Sequence, residues 1–239
     1  MTVCKTMAAV ATVAALALGA AQARDAAPDT AAPPVPFGKL FGGPFELVDH
    51  DGIARTDRDY RGRYLLIYFG YTYCPDICPA SLQEMAAALE QLGERAKGVV
   101  PVFVTVDPKR DTPDVLKAYV MQFGDRFVGL GGSEQQISKV ARSFRLHRLK
   151  VVPDWASGPE DYLVDHSSLT FLVGPEGEVL TLFPHDTPAA TMAMRLRNYL
   201  MQASDGEAPG RPACHLAEHD ELVAANWLTG LLFCAAPAI

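Results

Sequence analysis

The chain has 239 residues, of which 49% are hydrophobic and 21% are charged, a composition typical of a globular protein with one main core. Its formal net charge is −7, and its basic residues form no prominent cluster. These features argue against a nucleic-acid-binding protein and against electrostatic attachment to an anionic membrane.

The first 23 residues have the pattern of a secretory signal peptide. A lysine precedes an uncharged, alanine-rich run at 7–21, and the small residues Ala21 and Ala23 form a cleavage pattern before Arg24. The run is shorter than the roughly 20 residues that a membrane-spanning helix needs. We therefore expect export, cleavage after Ala23 and a location in the periplasm, where membrane association is compatible with the pattern but not required.

Composition divides the rest of the chain into three parts. Residues 24–44 begin as an Ala-, Pro- and Asp-rich stretch and predict a linker. Residues 45–202 predict one folded domain. A polar stretch that contains Gly and Pro then leads into a C-terminal extension, residues 203–239, to which the sequence assigns no role.

The predicted elements of the domain begin and end with β-hairpins. The first hairpin surrounds an Asp51-Gly52 turn, and the second surrounds a Gly-Pro-Glu-Gly turn at 174–177. Between them, continuous apolar runs predict buried strands at 64–70, 99–107 and 127–132. Capping residues, first-turn prolines and apolar periodicity predict helices at 79–92, 112–123, 133–144 and 187–200. This order predicts an α/β domain with a central mixed sheet and helices on both faces.

Two cysteines, Cys74 and Cys78, occupy the loop between the first buried strand and the first helix, each followed by a proline. A strand, a cysteine loop and a helix form a thioredoxin-like arrangement, in which the helix N-terminus lowers the pKa of a nearby thiol. The two sulfurs are expected to lie close enough to form a disulfide or to share one metal ion. A purely stabilising disulfide is less favoured, since it would close too short a loop to constrain the unfolded chain.

Thiolates suit a soft ion such as Cu(I), and an added imidazole also suits Cu(II), so each histidine is a candidate third ligand. We interpret His50 as a solvated turn residue, His147 as a surface residue and His185 as a loop residue. His166 precedes an apolar strand and follows Asp165, whose carboxylate could orient the imidazole. Spacing alone leaves His166 either a structural residue or a ligand.

Three motifs connect these residues with a known family. They are FGYTYCPDICPASL, VTVDPKRDTP and YLVDHSSLTFLVGPEG, in this order within residues 45–200. Together they closely resemble the Sco/SenC family of copper-binding proteins of cytochrome c oxidase assembly. The resemblance implies a thioredoxin-like fold with an extra N-terminal β-hairpin.

The resemblance also implies a copper site and a function. It implies that Cys74, Cys78 and His166 bind one copper, as Cu(I) or Cu(II), and that Asp107 belongs to the surroundings of this site. The expected function is that of a chaperone that passes copper to the dinuclear site of cytochrome c oxidase subunit II or to another cuproprotein. Family members commonly have histidine at position 73, where this chain has Tyr73. That histidine is not one of the three implied ligands, so we expect copper binding to be retained.

Two enzymatic functions are alternatives. A thiol–disulfide oxidoreductase that reduces the cysteines of a partner metalloprotein would use the same two sulfurs as its redox pair, but it would not need His166. A thiol peroxidase would share the fold, and it is least favoured because the chain has no peroxidase motif.

The C-terminal extension contains further residues that could bind a metal. His215 and His219 would share one face of a helix and could bind a metal there, and Cys214 could form a disulfide with Cys234. An accessory helix that packs on the domain or on a partner is the favoured interpretation.

Overall fold

A computed structural model describes residues 40–204 of the chain. The predicted signal peptide, most of the predicted linker and most of the C-terminal extension lie outside the described residues, as do Cys214, His215, His219 and Cys234. Within the described range, no helix is long and apolar enough to cross a membrane.

The strands in chain order are β1 (Glu46–Asp49), β2 (Ala54–Thr56), β3 (Tyr64–Gly70), β4 (Val99–Thr105), β5 (Val128–Gly131), β6 (Arg148–Val151), β7 (Leu163–His166), β8 (Leu169–Val173) and β9 (Val179–Pro184). Seven of them form the central sheet in the order β2-β1-β5-β4-β3-β8-β9. Strands β3, β4 and β5 are mutually parallel, and the strands on either side of them are antiparallel to their neighbours. The predicted mixed sheet and both predicted hairpins are thereby confirmed.

Four α-helices accompany the strands within residues 40–204: α1 (Ile77–Leu92), α2 (Pro113–Val120), α3 (Glu134–Ser143) and α4 (Ala189–Ser204). Short 3₁₀ turns lie at Asp57–Tyr60, Gly93–Gly98 and Met121–Phe123. The predicted cap of α2 is present, because the Thr112 hydroxyl accepts a hydrogen bond from the Val115 amide at 3.4 Å. Ser133 and Gln136 form a capping box at the start of α3.

The helices cover both faces of the sheet, as expected. Neighbouring residues of a strand point to opposite faces. In β3, Tyr68 reaches Cys78 in α1, whereas the ring of Phe69 packs against Phe144 at the end of α3. Helix α4 lies beside α1, where the Glu84 carboxylate accepts a hydrogen bond from the first amide of α4, that of Ala189, at 2.5 Å.

Strands β3 and β4 position the functional site. Every residue of both strands is buried, because helices cover the sheet on both sides. The two strands are parallel and end in register, with Gly70 opposite Thr105. The loops that follow them therefore leave the sheet at the same edge, and one of these loops carries the cysteines.

A small second sheet of β6 and β7 was not predicted from the sequence. The two strands are antiparallel, with Arg148 opposite His166, and they and their connecting loop form an arm, residues 148–166. Most of β6 is exposed, so it has no continuous apolar run to mark it as a strand. His166 therefore ends a strand of the arm, in addition to preceding β8.

The interpretation of His50 as a solvated turn residue is wrong. Its side chain is only 16% exposed, and its Nδ1 accepts a hydrogen bond from the Gly129 amide at 2.9 Å. The first hairpin pairs with β5 through β1, so His50 lies against Gly129 of β5, whereas residues 51–54 of the turn are exposed.

Candidate functional site

The two cysteines lie at the start of α1, one in the preceding loop and one in the first turn of the helix. Cys78 is fully buried, and Cys74 is half-buried. Gly70 ends β3 directly beneath them, and a Cβ atom there would lie 2.8 Å from the Cys78 sulfur. The glycine therefore allows α1 to approach the sheet closely enough to bring the cysteine loop onto its edge.

The sulfurs are adjacent and are not joined by a disulfide. The Cys78 amide donates a hydrogen bond to the Cys74 Sγ at 3.4 Å, and both thiols are free. The pKa of Cys74 is lowered to about 4, first because the Cys78 thiol donates a hydrogen bond to it, and further by contacts with His166 and nearby backbone amides. The same interaction and burial raise the pKa of Cys78. These shifts favour a thiolate at the half-buried Cys74 and a neutral thiol at the buried Cys78.

His166 completes the cluster from the arm. Its Nε2 is 3.5 Å from the Cys78 Sγ, and its Nδ1 is 3.2 Å from the Ser167 carbonyl oxygen. A proton on Nδ1 would be donated to this carbonyl, which leaves the Nε2 lone pair directed at the sulfur. The rings of Tyr68 and Tyr71 meet the imidazole nearly edge-on, with centroids 6.3 and 5.9 Å away.

The cluster opens onto a groove of about 430 Å³ on the protein surface. Cys74 and His166 both line this groove, together with apolar side chains that include Tyr71, Ile77 and Val151. Cys78 lies beneath. A molecule in the groove would therefore meet the Cys74 thiolate and the imidazole first.

Asp165 lines the same groove as His166, and its carboxylate contacts a different histidine. Its carboxylate is 3.3 Å from the Nε2 of His147, and both side chains are exposed. Adjacent residues of β7 point to opposite sides of the arm, so a carboxylate at 165 points away from the imidazole at 166. The Ser167 carbonyl contacts the imidazole instead. The expectation that His147 is a surface residue agrees with this geometry.

Asp107 is completely buried at the carboxyl end of β4, beside the site. It accepts hydrogen bonds from the Nε of Arg110 at 2.5 Å and from the Tyr162 hydroxyl at 2.9 Å. The Arg110 guanidinium in turn lies 5.7 Å from the centre of the Tyr71 ring. Asp107 thus reaches the cluster through Arg110 and Tyr71.

Asp111 holds the cysteine loop and was not predicted from the sequence. Its buried carboxylate accepts hydrogen bonds from the amide and hydroxyl of Thr72, at 3.1 and 2.6 Å, and from the Thr105 hydroxyl at 2.6 Å. Burial raises its pKa, against the effect of these hydrogen bonds. A usable signal was the second aspartate of DPKRDTP, because this loop follows the parallel strand next to the one that carries the cysteines.

This fold and cysteine pair define the class of the protein. A mixed sheet between helices, with a dithiol between a central strand and the next helix, is a thioredoxin-like fold, and the solved structures that resemble it agree. The chain belongs to the SCO1/SenC family, whose model matches residues 34–201.

Curated relatives include the human mitochondrial protein SCO1 homolog, 38% identical over 170 residues, which are 67% of this chain and 54% of that protein. The SCO2-like protein RP587 of Rickettsia prowazekii is 41% identical over 158 residues, 66% of this chain and 76% of its own length. This chain thus spans about half the length of the human relative.

Among solved structures, Arabidopsis thaliana ScoI with copper bound is 36% identical, with a TM-score of 0.61, and the match covers 69% of this chain and 99% of that chain. Bradyrhizobium japonicum ScoI with copper bound is 39% identical, with a TM-score of 0.61 and coverages of 66% and 99%. BsSco, described as having a disulfide switch and belonging to the Sco family of cytochrome c oxidase assembly proteins, is 25% identical, with a TM-score of 0.55 and coverages of 70% and 96%.

Proposed function

We propose that this protein is an exported copper chaperone that binds one copper ion through Cys74, Cys78 and His166 and delivers it to the dinuclear copper site of cytochrome c oxidase. The observation that carries the proposal is the 3.5 Å approach of the His166 Nε2 to the Cys78 sulfur, beside a second thiol of lowered pKa. Its proposed place of action is the periplasm, on the basis of the signal-peptide pattern in residues 1–23.

The donor set fits copper. A nitrogen and a sulfur bound to one tetrahedral ion at about 2.0 and 2.3 Å lie roughly 3.5 Å apart, which matches the separation of His166 and Cys78. Within residues 40–204, no group of three or more His, Cys, Asp and Glu side chains already encloses a metal position. The third donor, the Cys74 sulfur, must therefore move to bind the same ion. The half-buried Cys74 side chain can do so by rotating about its Cα–Cβ bond.

The arrangement also suits transfer of the metal. Cys74 is a thiolate at neutral pH and can bind the incoming ion without losing a proton, whereas the buried Cys78 thiol must lose its proton to bind. A site with three protein ligands leaves a coordination position open. Cys74 and His166 face the groove, so a partner's ligand can enter there and replace them one at a time.

The comparisons support the proposal on two points. The Arabidopsis and Bradyrhizobium structures described above are Sco proteins with copper bound, and BsSco belongs to a family described as cytochrome c oxidase assembly proteins. The recipient could be subunit II of the oxidase or another cuproprotein with a similar site.

The decisive experiment is copper titration of the reduced mature protein, followed by X-ray absorption. We expect two sulfurs and one nitrogen per copper, and we expect His166→Ala to lose the nitrogen and to bind copper much more weakly. His147→Ala is the matched control, because His147 is an exposed histidine near the same arm. An all-sulfur shell in the native protein, or unchanged affinity in His166→Ala, would contradict the three-ligand site.

The asymmetry of the two thiols favours one alternative function, that of a thiol–disulfide oxidoreductase. The Cys74 thiolate would attack a partner's disulfide to form a mixed disulfide and release one partner thiolate. Cys78, once deprotonated, would then attack the Cys74 sulfur and release the second partner thiolate. The partner gains two electrons, and Cys74 and Cys78 become a disulfide. Two results together would establish this alternative: the native protein binds no copper, and His166→Ala still reduces a partner's disulfide.

A further inference from the structure

Arg110 is held among three aromatic rings beside the cysteine loop. Its side chain is only 9% exposed, and its guanidinium carbon lies 3.7 Å from the ring centre of Tyr162, 4.7 Å from that of Tyr73 and 5.7 Å from that of Tyr71. All three distances are within the range of a cation–π interaction. This cluster, Tyr71, Tyr73, Arg110 and Tyr162, is called the clasp below.

Hydrogen bonds fix the orientation of the guanidinium. Its Nε donates to the Asp107 carboxylate at 2.5 Å, and its Nη1 donates to the carbonyl oxygens of Glu160 and Tyr162 at 3.1 and 2.9 Å. Its Nη2 is buried and has no hydrogen-bond partner among the described residues. The ring faces take the place of an acceptor there, because their negative charge density attracts the cation.

The groups around Arg110 come from three separate segments that meet at the site. Asp107 follows β4, Tyr71 and Tyr73 belong to the cysteine loop, and Tyr162 belongs to the arm. Tyr73 directly precedes Cys74 in the chain. The clasp therefore joins the segment that carries Cys74 to the segment that carries His166.

The clasp also reaches His166 directly. Val164 and His166 lie on the same side of β7, and Tyr162 directly precedes this strand. The Tyr71 hydroxyl contacts the backbone of Val164, and its ring meets the His166 imidazole at 86°. Movement of the arm relative to the cysteine loop would break these contacts.

We propose that Arg110 is a positioning residue for the metal site, and that Tyr73 holds it in place by closing the clasp from the solvent side. The clasp sets the separation of the Cys74 sulfur and the His166 imidazole before metal binds, which lowers the cost of assembling the three donors. This inference rests on the proposed copper function. It also gives Tyr73 a role in this chain: its exposed ring, 63% accessible, covers the guanidinium.

The test compares Tyr73→Leu, Tyr73→Phe and Arg110→Lys with the native protein by copper dissociation rate and by the sulfur-to-copper charge-transfer spectrum. Losing an exposed cation–π contact of about 0.5–1 kcal/mol corresponds to a two- to fivefold faster dissociation, which we expect for Tyr73→Leu. Tyr73→Phe keeps the ring face and should behave as the native protein. Arg110→Lys loses the planar, forked geometry and should release copper faster still, with a shifted spectrum.

Amide hydrogen exchange in the metal-free protein provides a second readout. Amide exchange in β7 should be two- to fivefold faster in Tyr73→Leu than in the native protein, because the arm opens more easily. Arg126→Lys is the matched control, since that guanidinium bonds the Val99 carbonyl at 2.8 Å at the opposite end of β4. It should alter stability without altering the copper spectrum.

One combination of results would overturn this inference and leave the proposed function intact. The native protein would bind copper through two sulfurs and one nitrogen, while Tyr73→Leu and Arg110→Lys would leave the copper dissociation rate, the charge-transfer spectrum and the amide exchange unchanged. If Arg110→Lys fails to fold, Tyr73→Leu decides, because the leucine replaces an exposed side chain. A native protein that binds no copper would instead overturn the proposed function, and this inference with it.

Discussion

At the scale of single residues, the two cysteines differ because their surroundings differ. Cys74 lies outside the helix and receives hydrogen bonds from the Cys78 thiol and amide. Cys78 lies inside the first turn, where burial and the neighbouring negative charge oppose a second thiolate. The three-residue spacing permits this arrangement, since it places one sulfur in front of the helix N-terminus and the other within it.

This asymmetry predicts the pH dependence of alkylation. The pKa of Cys74 is about 4, well below the value of about 8.5 of a free cysteine, so its thiolate persists as pH falls and is lost only through pH 4. At pH 6 an ordinary thiol would be about 0.3% ionised. Iodoacetamide should therefore modify Cys74 at pH 6 nearly as fast as at pH 8, as peptide mass spectrometry can measure.

Cys78→Ala is the informative control for this measurement. It removes the hydrogen bond that contributes most to the low pKa of Cys74, so the midpoint of the alkylation profile should rise by about one unit. An alkylation midpoint near pH 8.5 in the native protein would show that Cys78 does not lower the pKa of Cys74.

At the scale of elements, the cysteine loop is held by the neighbouring loop that follows β4. Asp111 bonds Thr72 from the cysteine loop and Thr105 at the end of β4, so one buried carboxylate connects the ends of two parallel strands. The Arg110 clasp makes a second connection, to the arm. The loop is therefore positioned by its neighbours as well as by its own prolines.

We predict that Asp111→Ala destabilises the protein by about 1–3 kcal/mol, because the buried hydroxyl of Thr105 and the half-buried donors of Thr72 lose their acceptor. Urea unfolding measures this change. Asp125→Ala is the control, since Asp125 is exposed, and it should change the free energy of unfolding by less than about 0.5 kcal/mol. Equal stabilities of the two variants would mean that Asp111 does not tether the loop.

At the scale of the whole molecule, an aromatic cluster on the face of the sheet opposite α1 joins distant parts of the described chain. The Phe171 ring in β8 is fully buried, and its centre lies 5.9 Å from that of Phe69 in β3 and 5.2 Å from that of Phe144 after α3. The ring of Phe41, before β1, lies 6.0 Å away. This cluster holds the sheet against α3 while the other face receives α1 and the cysteines.

Phe171→Ala should therefore lower the free energy of unfolding by about 3–5 kcal/mol, through lost burial and the cavity that remains. Val152→Ala, at an exposed position, should have little effect and serves as the control. Thermal denaturation distinguishes them, and a loss below about 1 kcal/mol for Phe171→Ala would show that the cluster is not part of the cooperative core.

Much of the fold was predictable because its signals are local. The buried strands β3 and β4 are continuous apolar runs, the hairpin turns carry their glycines, and Thr112 and Ser133 precede their helices. The cysteine loop was equally visible, since strand, loop and helix follow one another in the chain. His166 differed from the other histidines by its place before an apolar strand and beside Asp165, but only the family motif indicated a ligand, because these neighbours do not separate a ligand from a structural histidine.

The sequence by itself determined the α/β class, the order of the main elements and the identity of the two thiols, since each depends on residues that are close together in the chain. Only the tertiary structure decided which side chains meet the thiols. Four features depend on how β3, β4 and the arm converge at one edge of the sheet. They are the approach of His166 to Cys78, the hydrogen bonds that Asp111 accepts, the contact of Asp165 with His147 and the clasp around Arg110. The contacts of His166 with Cys78 and of Asp111 with Thr72 join residues 88 and 39 positions apart, and no local pattern encodes the distance between them.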